Sequence, residues 1–156
     1  MGTPGSYLLL LELGQAKAIR VGRLGTFDFP QGWYVYVGSA LAGLEQRASR
    51  HLRPALVQHW HLDYLRAEAP VREVHLFPSS CRQECDLARV LLSLPGASIP
   101  APRFGASDCR CPAHLVHFED YPALEAVFGL SRRLFGNAEG GEGIKPPNRR
   151  IVVPGP

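Results

Sequence analysis

A glutamate on the apolar face of a predicted helix is the first residue of this sequence that could do chemistry. Ser80 and Gln83 have the spacing of a capping box, which predicts a helix from there to about Leu94. Glu84 shares one face of this helix with three apolar residues: Leu87, Ala88 and Leu91. A carboxylate that points toward a core must be paired, protonated or metal-bound, because desolvating it alone is costly. Glu84 is therefore a candidate metal ligand, and a structural ion pair with an arginine is the alternative.

An arginine and a histidine one helical turn apart form a second candidate group. Arg47 and His51 flank an apolar stripe in a helix that is predicted to stop at Pro54, and the stripe consists of Leu44, Ala48 and Leu52. A guanidinium can clamp a phosphate through two parallel hydrogen bonds, and an imidazole can transfer a proton. The pair could serve a phosphate site, and the alternative is a solvated helix edge.

The four cysteines could form a third group. Cys81 and Cys85 lie one helical turn apart and could join Cys109 and Cys111 in a structural Zn²⁺ site, with His114 as a reserve ligand. The alternative is that they are small core residues and loop anchors. Disulfides are not expected in a reducing cytoplasm.

Two histidines and an aspartate alternate in a way that is also typical of metal ligands. His59, His61 and Asp63 fall in a predicted helix, where side chains two positions apart fan out and do not converge. We therefore expect no metal here, and we expect Trp60 and Tyr64 to pack inward.

The elements that must position these residues begin as strands and then alternate with helices. Strands are predicted over 7–13, 18–21, 25–29, 32–38, 71–77 and 114–118, and helices over 41–52, 59–69, 80–94 and 122–135. The aromatic run 32–38 should be central because both its faces are apolar. This order predicts an α/β (α+β) domain with a mainly antiparallel sheet. The composition of 136–156 predicts a disordered tail after a domain over 1–135.

Length and charge limit the classes of protein that fit. A chain of 156 residues, 46% hydrophobic, has room for one domain with its own core. A net charge of +3 excludes a polybasic nucleic-acid tail but permits a compact phosphate site. The apolar runs are too short for a membrane span, so we expect no membrane partner and a cytoplasmic protein.

The aromatic strand carries a family resemblance. Tyr36-Val37-Gly38, following Gly5-Ser6-Tyr7, resembles the paired tripeptides of the GIY-YIG endonuclease family. In that family an arginine follows on the next helix, a histidine or tyrosine one turn later, and a glutamate on a later helix. More closely, the chain resembles a small uncharacterised GIY-YIG-like family that is sometimes fused to endonuclease-III-type glycosylases. The strings that carry this are 20–25, 34–40, 59–64, 84–85 and 107–111.

The resemblance implies a GIY-YIG-like fold and a metal-dependent DNA endonuclease, with DNA repair as its expected setting. It places Mg²⁺ or Mn²⁺ on Glu84 and implies four catalytic residues: Tyr7, Tyr36, Arg47 and His51. The arginine would neutralise charge on the scissile phosphate, while a tyrosine helped by the histidine would orient or deprotonate water.

Nucleic-acid contacts are predicted for Arg50, His59 and His61, with DNA as the expected partner and RNA as an alternative. Two departures from the family pattern favour a catalytically inactive DNA- or RNA-binding module as the alternative function. A strand pair inserted between the two tripeptides makes Tyr34 a rival of Tyr7. The late asparagine of the family has candidates only in the tail.

Overall fold

The apolar runs of the sequence form the strands of a computed structural model, which describes residues 4–40, 42–53, 58, 60–79, 83–125, 127 and 149–152. In chain order the elements are β1 (Gly5–Leu13), β2 (Lys17–Val21), a 3₁₀ turn (Gly22–Leu24), β3 (Gly25–Phe29), β4 (Gly32–Ala40), α1 (Leu44–Leu52), α2 (His61–Arg66), β5 (Val71–Pro78), α3 (Glu84–Leu92), β6 (Leu115–Phe118) and β7 (Arg149–Val152). The predicted α+β class with an antiparallel sheet is confirmed.

Within the described residues, one sheet has the strand order β6-β4-β1-β5-β7, and every neighbouring pair is antiparallel. β4 has a strand on each side, as its two apolar faces predict. β1 and β4 pair so that Tyr7 lies opposite Gly38. The two tripeptides therefore meet at one end of adjacent strands.

The predicted inserted strand pair is confirmed as a separate two-stranded sheet of β2 and β3. It packs beside α2, where Tyr64 lies against Gly22. The insertion therefore lengthens the connection between β1 and β4 without interrupting their pairing.

Alternation along β1 gives the main sheet two buried faces. Tyr7, Leu9 and Leu11 face the core that includes residues of α1 and α2, while Leu8 and Leu10 face the core under α3. The helices thus cover opposite faces.

Several predicted boundaries need correction. Gln83 is the N-cap of α3, the position that the capping box gave to Ser80, and residues 80–82 lie outside the described part. Helix α2 begins only at His61, because Trp60 is extended and its N–H donates to the carboxylate of Asp63. The last helix was predicted over 122–135. Residues 122 and 123 are not helical, residues 124, 125 and 127 are, and the rest of the range lies outside the described residues.

Within the predicted disordered tail, residues 149–152 form β7, which pairs with β5. The remaining tail lies outside the described residues. In the described part, no helix is long and apolar enough to cross a bilayer.

Candidate functional site

A cavity of about 480 Å³ lies where β1, β4, α1 and α3 come together. Four of the five residues that the resemblance assigns to catalysis or to the catalytic metal line it: Tyr7, Tyr36, Arg47 and Glu84. The long loop before β6 supplies another wall through Gly105, Ser107, Asp108, Cys109 and His114. The structure therefore brings residues from distant parts of the chain to one opening.

Tyr7 and His51 form a buried hydrogen-bonded pair behind this opening. The Tyr7 hydroxyl lies 2.8 Å from Nε2 of His51. Solvent reaches only 1% of the surface of Tyr7 and none of that of His51. The tyrosine ring fits only because Gly38 is opposite, since a Cβ there would collide with the ring. A glycine at the end of β4 is thus a packing requirement of the tyrosine at the start of β1.

Ionisation of this pair is suppressed by its surroundings. Burial raises the pKa of Tyr7, with Tyr36 adding to the rise and the charge of Arg47 opposing it. Burial, followed by the charges of Arg66 and Arg50, lowers the pKa of His51 to about 3. At neutral pH the tyrosine is protonated and the imidazole is neutral, so the hydroxyl can donate to Nε2.

The second tyrosine of the motif completes an aromatic group. The ring of Tyr36 lies 6.3 Å from the ring of Tyr7 and 6.3 Å from that of His51, measured between centroids. Burial, and then the charge of Glu84, raises the pKa of Tyr36. Its rival Tyr34 instead donates to the carbonyl of Pro30 at 2.5 Å and is not among the residues that line the cavity.

Opposite charges meet across the cavity. Arg47 places its guanidinium carbon 4.5 Å from the centre of the Trp60 ring, a cation–π contact that holds the arginine at the cavity wall. Glu84 is half-buried, and the predicted apolar face of its helix is confirmed, since Leu87, Ala88 and Leu91 are buried. The structure thus supplies the cation of Arg47 and two carboxylates, those of Glu84 and Asp108, to the wall of the cavity.

The guanidinium of Arg50 is paired with an aspartate that does not line the cavity. Its Nη2 lies 3.4 Å from a carboxylate oxygen of the fully buried Asp63, which Arg66 also approaches at 3.9 Å. This places Asp63 in an ion-pair network with two arginines. A nucleic-acid contact of Arg50 stays a prediction.

His61 lines the cavity and is fixed from behind. Its Nδ1 accepts a hydrogen bond of 2.9 Å from the backbone N–H of Gly105, so a neutral ring carries its proton on Nε2. Burial lowers the pKa of His61, which favours that neutral form. His59 lies outside the described residues.

Three cysteines and a histidine converge beside the cavity. One ligand atom from each of Cys85, Cys109, Cys111 and His114 lies within 4.8 Å of the others, and the three cysteines are free thiols. His114, the predicted reserve ligand, therefore stands in the group, while Cys81 lies outside the described residues. This group could hold a metal ion.

The sequence reasoning missed the contacts that hold the site residues in place. Trp60, which was predicted to pack inward, also supports Arg47, and Gly105 was predicted only as part of an irregular loop. Gly105 has a φ of 71°, and a Cβ there would lie 2.8 Å from the ring of Tyr36. Its place in the Pro- and Gly-rich loop was the available signal.

Comparisons of the chain with curated proteins and with solved structures found no match. A family model described as a domain of unknown function, DUF123, matches residues 6–134, which include the whole cavity. The chain therefore belongs to the DUF123 family.

Proposed function

We propose that the protein is a divalent-metal-dependent endonuclease that hydrolyses phosphodiester bonds in DNA, in the setting of DNA repair. The observation that carries the proposal is the convergence of Tyr7, Tyr36, Arg47 and Glu84 on one cavity, with His51 bonded to the first tyrosine. These residue types together can bind a phosphate, hold a metal and orient a water.

Charge on α1 favours an anionic substrate. Arg47, Arg50 and Arg53 recur every three residues from this helix to its C-cap; Arg50 is paired with Asp63, and Arg53 is exposed. Arg47 reaches the cavity itself, where its fork of N–H groups can donate to two phosphate oxygens. It would thereby offset the charge that grows on the phosphate as the bond breaks.

Glu84 would hold one Mg²⁺ or Mn²⁺. A single carboxylate suits Mg²⁺, which keeps several waters and takes one or two protein carboxylates. When bound, the metal would supply Lewis-acid stabilisation of the phosphate and the leaving oxygen. The group of three cysteines and His114 beside the cavity suits a softer ion and is not the site for Mg²⁺.

The two tyrosines and His51 would orient the attacking water through hydrogen bonds. Because burial keeps the hydroxyls of Tyr7 and Tyr36 protonated, they act as hydrogen-bond groups for a water and not as preformed anions. Tyr7 can donate a hydrogen bond to Nε2 of His51, 2.8 Å away, which fixes the hydroxyl so that its oxygen can accept a hydrogen bond from the attacking water. His61 can donate from Nε2 to a phosphate oxygen at the cavity wall.

The decisive variant is Glu84→Gln, which keeps the side-chain shape and removes the charge. We expect cleavage of branched, nicked or single-stranded DNA to fall at least about a hundredfold, or about 2.7 kcal/mol in the barrier. Mn²⁺ binding, followed by electron paramagnetic resonance, should be lost together with activity. Glu45→Gln, on the exposed side of α1, is the matched control and should retain both.

Metal dependence should be tested by omitting Mg²⁺ and not by chelation, because a chelator would also strip any metal from the cysteine group. Unchanged cleavage by Glu84→Gln would refute the assigned site. DNA binding by the wild-type protein without Mg²⁺-dependent cleavage of any of these substrates would instead identify a binding module.

A further inference from the structure

The cysteine–histidine group has the dimensions of an occupied zinc site. With Zn–S near 2.3 Å and Zn–N near 2.0 Å, a tetrahedron places a sulfur and a nitrogen ligand about 3.5 Å apart. Nε2 of His114 lies 3.4 Å from Sγ of Cys109 and 3.8 Å from Sγ of Cys85. Sγ of Cys111 lies within 4.8 Å of all three. The two distances from His114 are therefore close to those of a site that holds an ion.

The chemistry of the group selects the metal. Three thiolates and one imidazole are soft or borderline ligands, which prefer Zn²⁺ to Mg²⁺ or Ca²⁺. Cys85 is the second residue of α3, so its sulfur belongs to the first turn of that helix. Four protein ligands fill the tetrahedron, so the ion would keep no open position for a reacting water.

An outer layer of hydrogen bonds already holds the ligand loop. The guanidinium of Arg103 donates to the carbonyls of Ala106, Cys109 and Cys111 at 2.5 to 2.6 Å. Arg103 also has a φ of 68°, a conformation that costs energy in a residue with a Cβ. A strained residue that fixes the backbone on both sides of a ligand is what a preorganised metal site requires.

We propose that Cys85, Cys109, Cys111 and His114 bind one structural Zn²⁺ that ties the loop before β6 to the first turn of α3. The ion would join two segments whose ligands lie more than 20 positions apart in sequence. It would stabilise the folded chain by binding the native arrangement and not the unfolded one.

The zinc would also shape the cavity. Cys85 directly follows Glu84, Cys109 and His114 line the cavity, and Gly105 in the same loop holds His61. Loss of the ion should therefore release one wall and displace Glu84. This consequence for catalysis rests on the proposed function, whereas zinc binding and its effect on folding do not.

Zinc content of the purified full chain is the first test. We expect one zinc per chain by elemental analysis, and its loss in Cys111→Ser and in His114→Gln. Cys81→Ser is the control and should keep its zinc. Absence of zinc from wild-type protein produced with added zinc would overturn the proposal. If the His114→Gln variant keeps its zinc and the Cys81→Ser variant loses it, the proposed set of ligands is wrong.

Two measurements on the wild-type protein avoid variants that fail to fold. Cobalt exchanged into the site should give the visible bands of a tetrahedral ion and thiolate-to-cobalt charge-transfer bands, and absence of both would refute the site. Zinc removal should speed amide hydrogen exchange across 101–114 at least about tenfold more than in β1. Equal exchange with and without zinc would refute the structural role. If zinc is confirmed while Glu84→Gln cleaves DNA normally, only the proposed catalytic function fails.

Discussion

The buried Tyr7–His51 pair predicts a specific pH dependence of folding. The pKa of His51 is about 3 in the folded chain, because burial and then the nearby arginines disfavour its charged form. An unfolded histidine has a pKa near 6.5. The unfolded chain therefore binds more protons as the pH falls below 6.5, and the stability that the neutral imidazole contributes is lost progressively down to pH 3. Between pH 7.5 and 5.5 the loss from this residue is about 1.4 kcal/mol.

The variant His51→Gln isolates this contribution, because glutamine cannot titrate. The free energy of unfolding of both proteins should be measured by urea titration, followed by tryptophan fluorescence, at pH 7.5 and 5.5. At pH 7.5 the variant should be less stable by about 1 to 3 kcal/mol, since the partner of the Tyr7 hydroxyl is lost or misplaced. At pH 5.5 the gap should be smaller by about 1.4 kcal/mol.

His61→Gln is the control, because its imidazole is only half-buried and its pKa is also lowered by burial. Its stability gap to the wild type should change in the same direction but by less. Other titrating groups are common to all three proteins and cancel in the differences. A gap between wild type and His51→Gln that does not change with pH would refute the picture of a neutral, buried imidazole.

Two further predictions concern packing and charge. Gly38→Ala should lower the free energy of unfolding by about 1 to 3 kcal/mol at pH 7, because the new Cβ collides with the fixed ring of Tyr7. Gly14→Ala is the control, since no atom lies within 4 Å of its added Cβ. Equal midpoints of urea unfolding for the two variants would contradict the prediction. Asp63→Asn keeps a hydrogen-bond acceptor for the N-terminus of α2 but leaves Arg50 without its anionic partner. The free energy of unfolding, measured by the same urea titration, should therefore fall by about 1 to 3 kcal/mol. A variant as stable as the wild type would contradict this prediction.

Local patterns determined the strands and the directions of several side chains. The runs at 7–13 and 32–38 are short and apolar on both faces, a pattern typical of a strand buried on both sides, and the structure shows such strands. The apolar spacing after Glu84 likewise fixed which face of α3 is buried. These properties depend on neighbours within a turn or a strand, so the sequence determines them.

The ends of elements depended on contacts that no local pattern contains. Ser80 and Gln83 matched a capping box, yet Gln83 is the N-cap in the structure. Helix α2 starts late because the carboxylate of Asp63 binds the N–H of Trp60, while Arg50 from another helix balances its charge. A cap is chosen by the whole environment, and this is why its position shifted.

The sequence by itself determined a small antiparallel α+β domain and the order in which Tyr7, Tyr36, Arg47, His51 and Glu84 occur. Only the tertiary structure decided which of these meet, that Arg50 turns to Asp63, and that His114 joins the three cysteines. The physical reason is that a site needs atoms within a few ångströms from segments far apart in the chain. Such distances are set by strand register, by the packing of helices on a sheet and by the path of a loop.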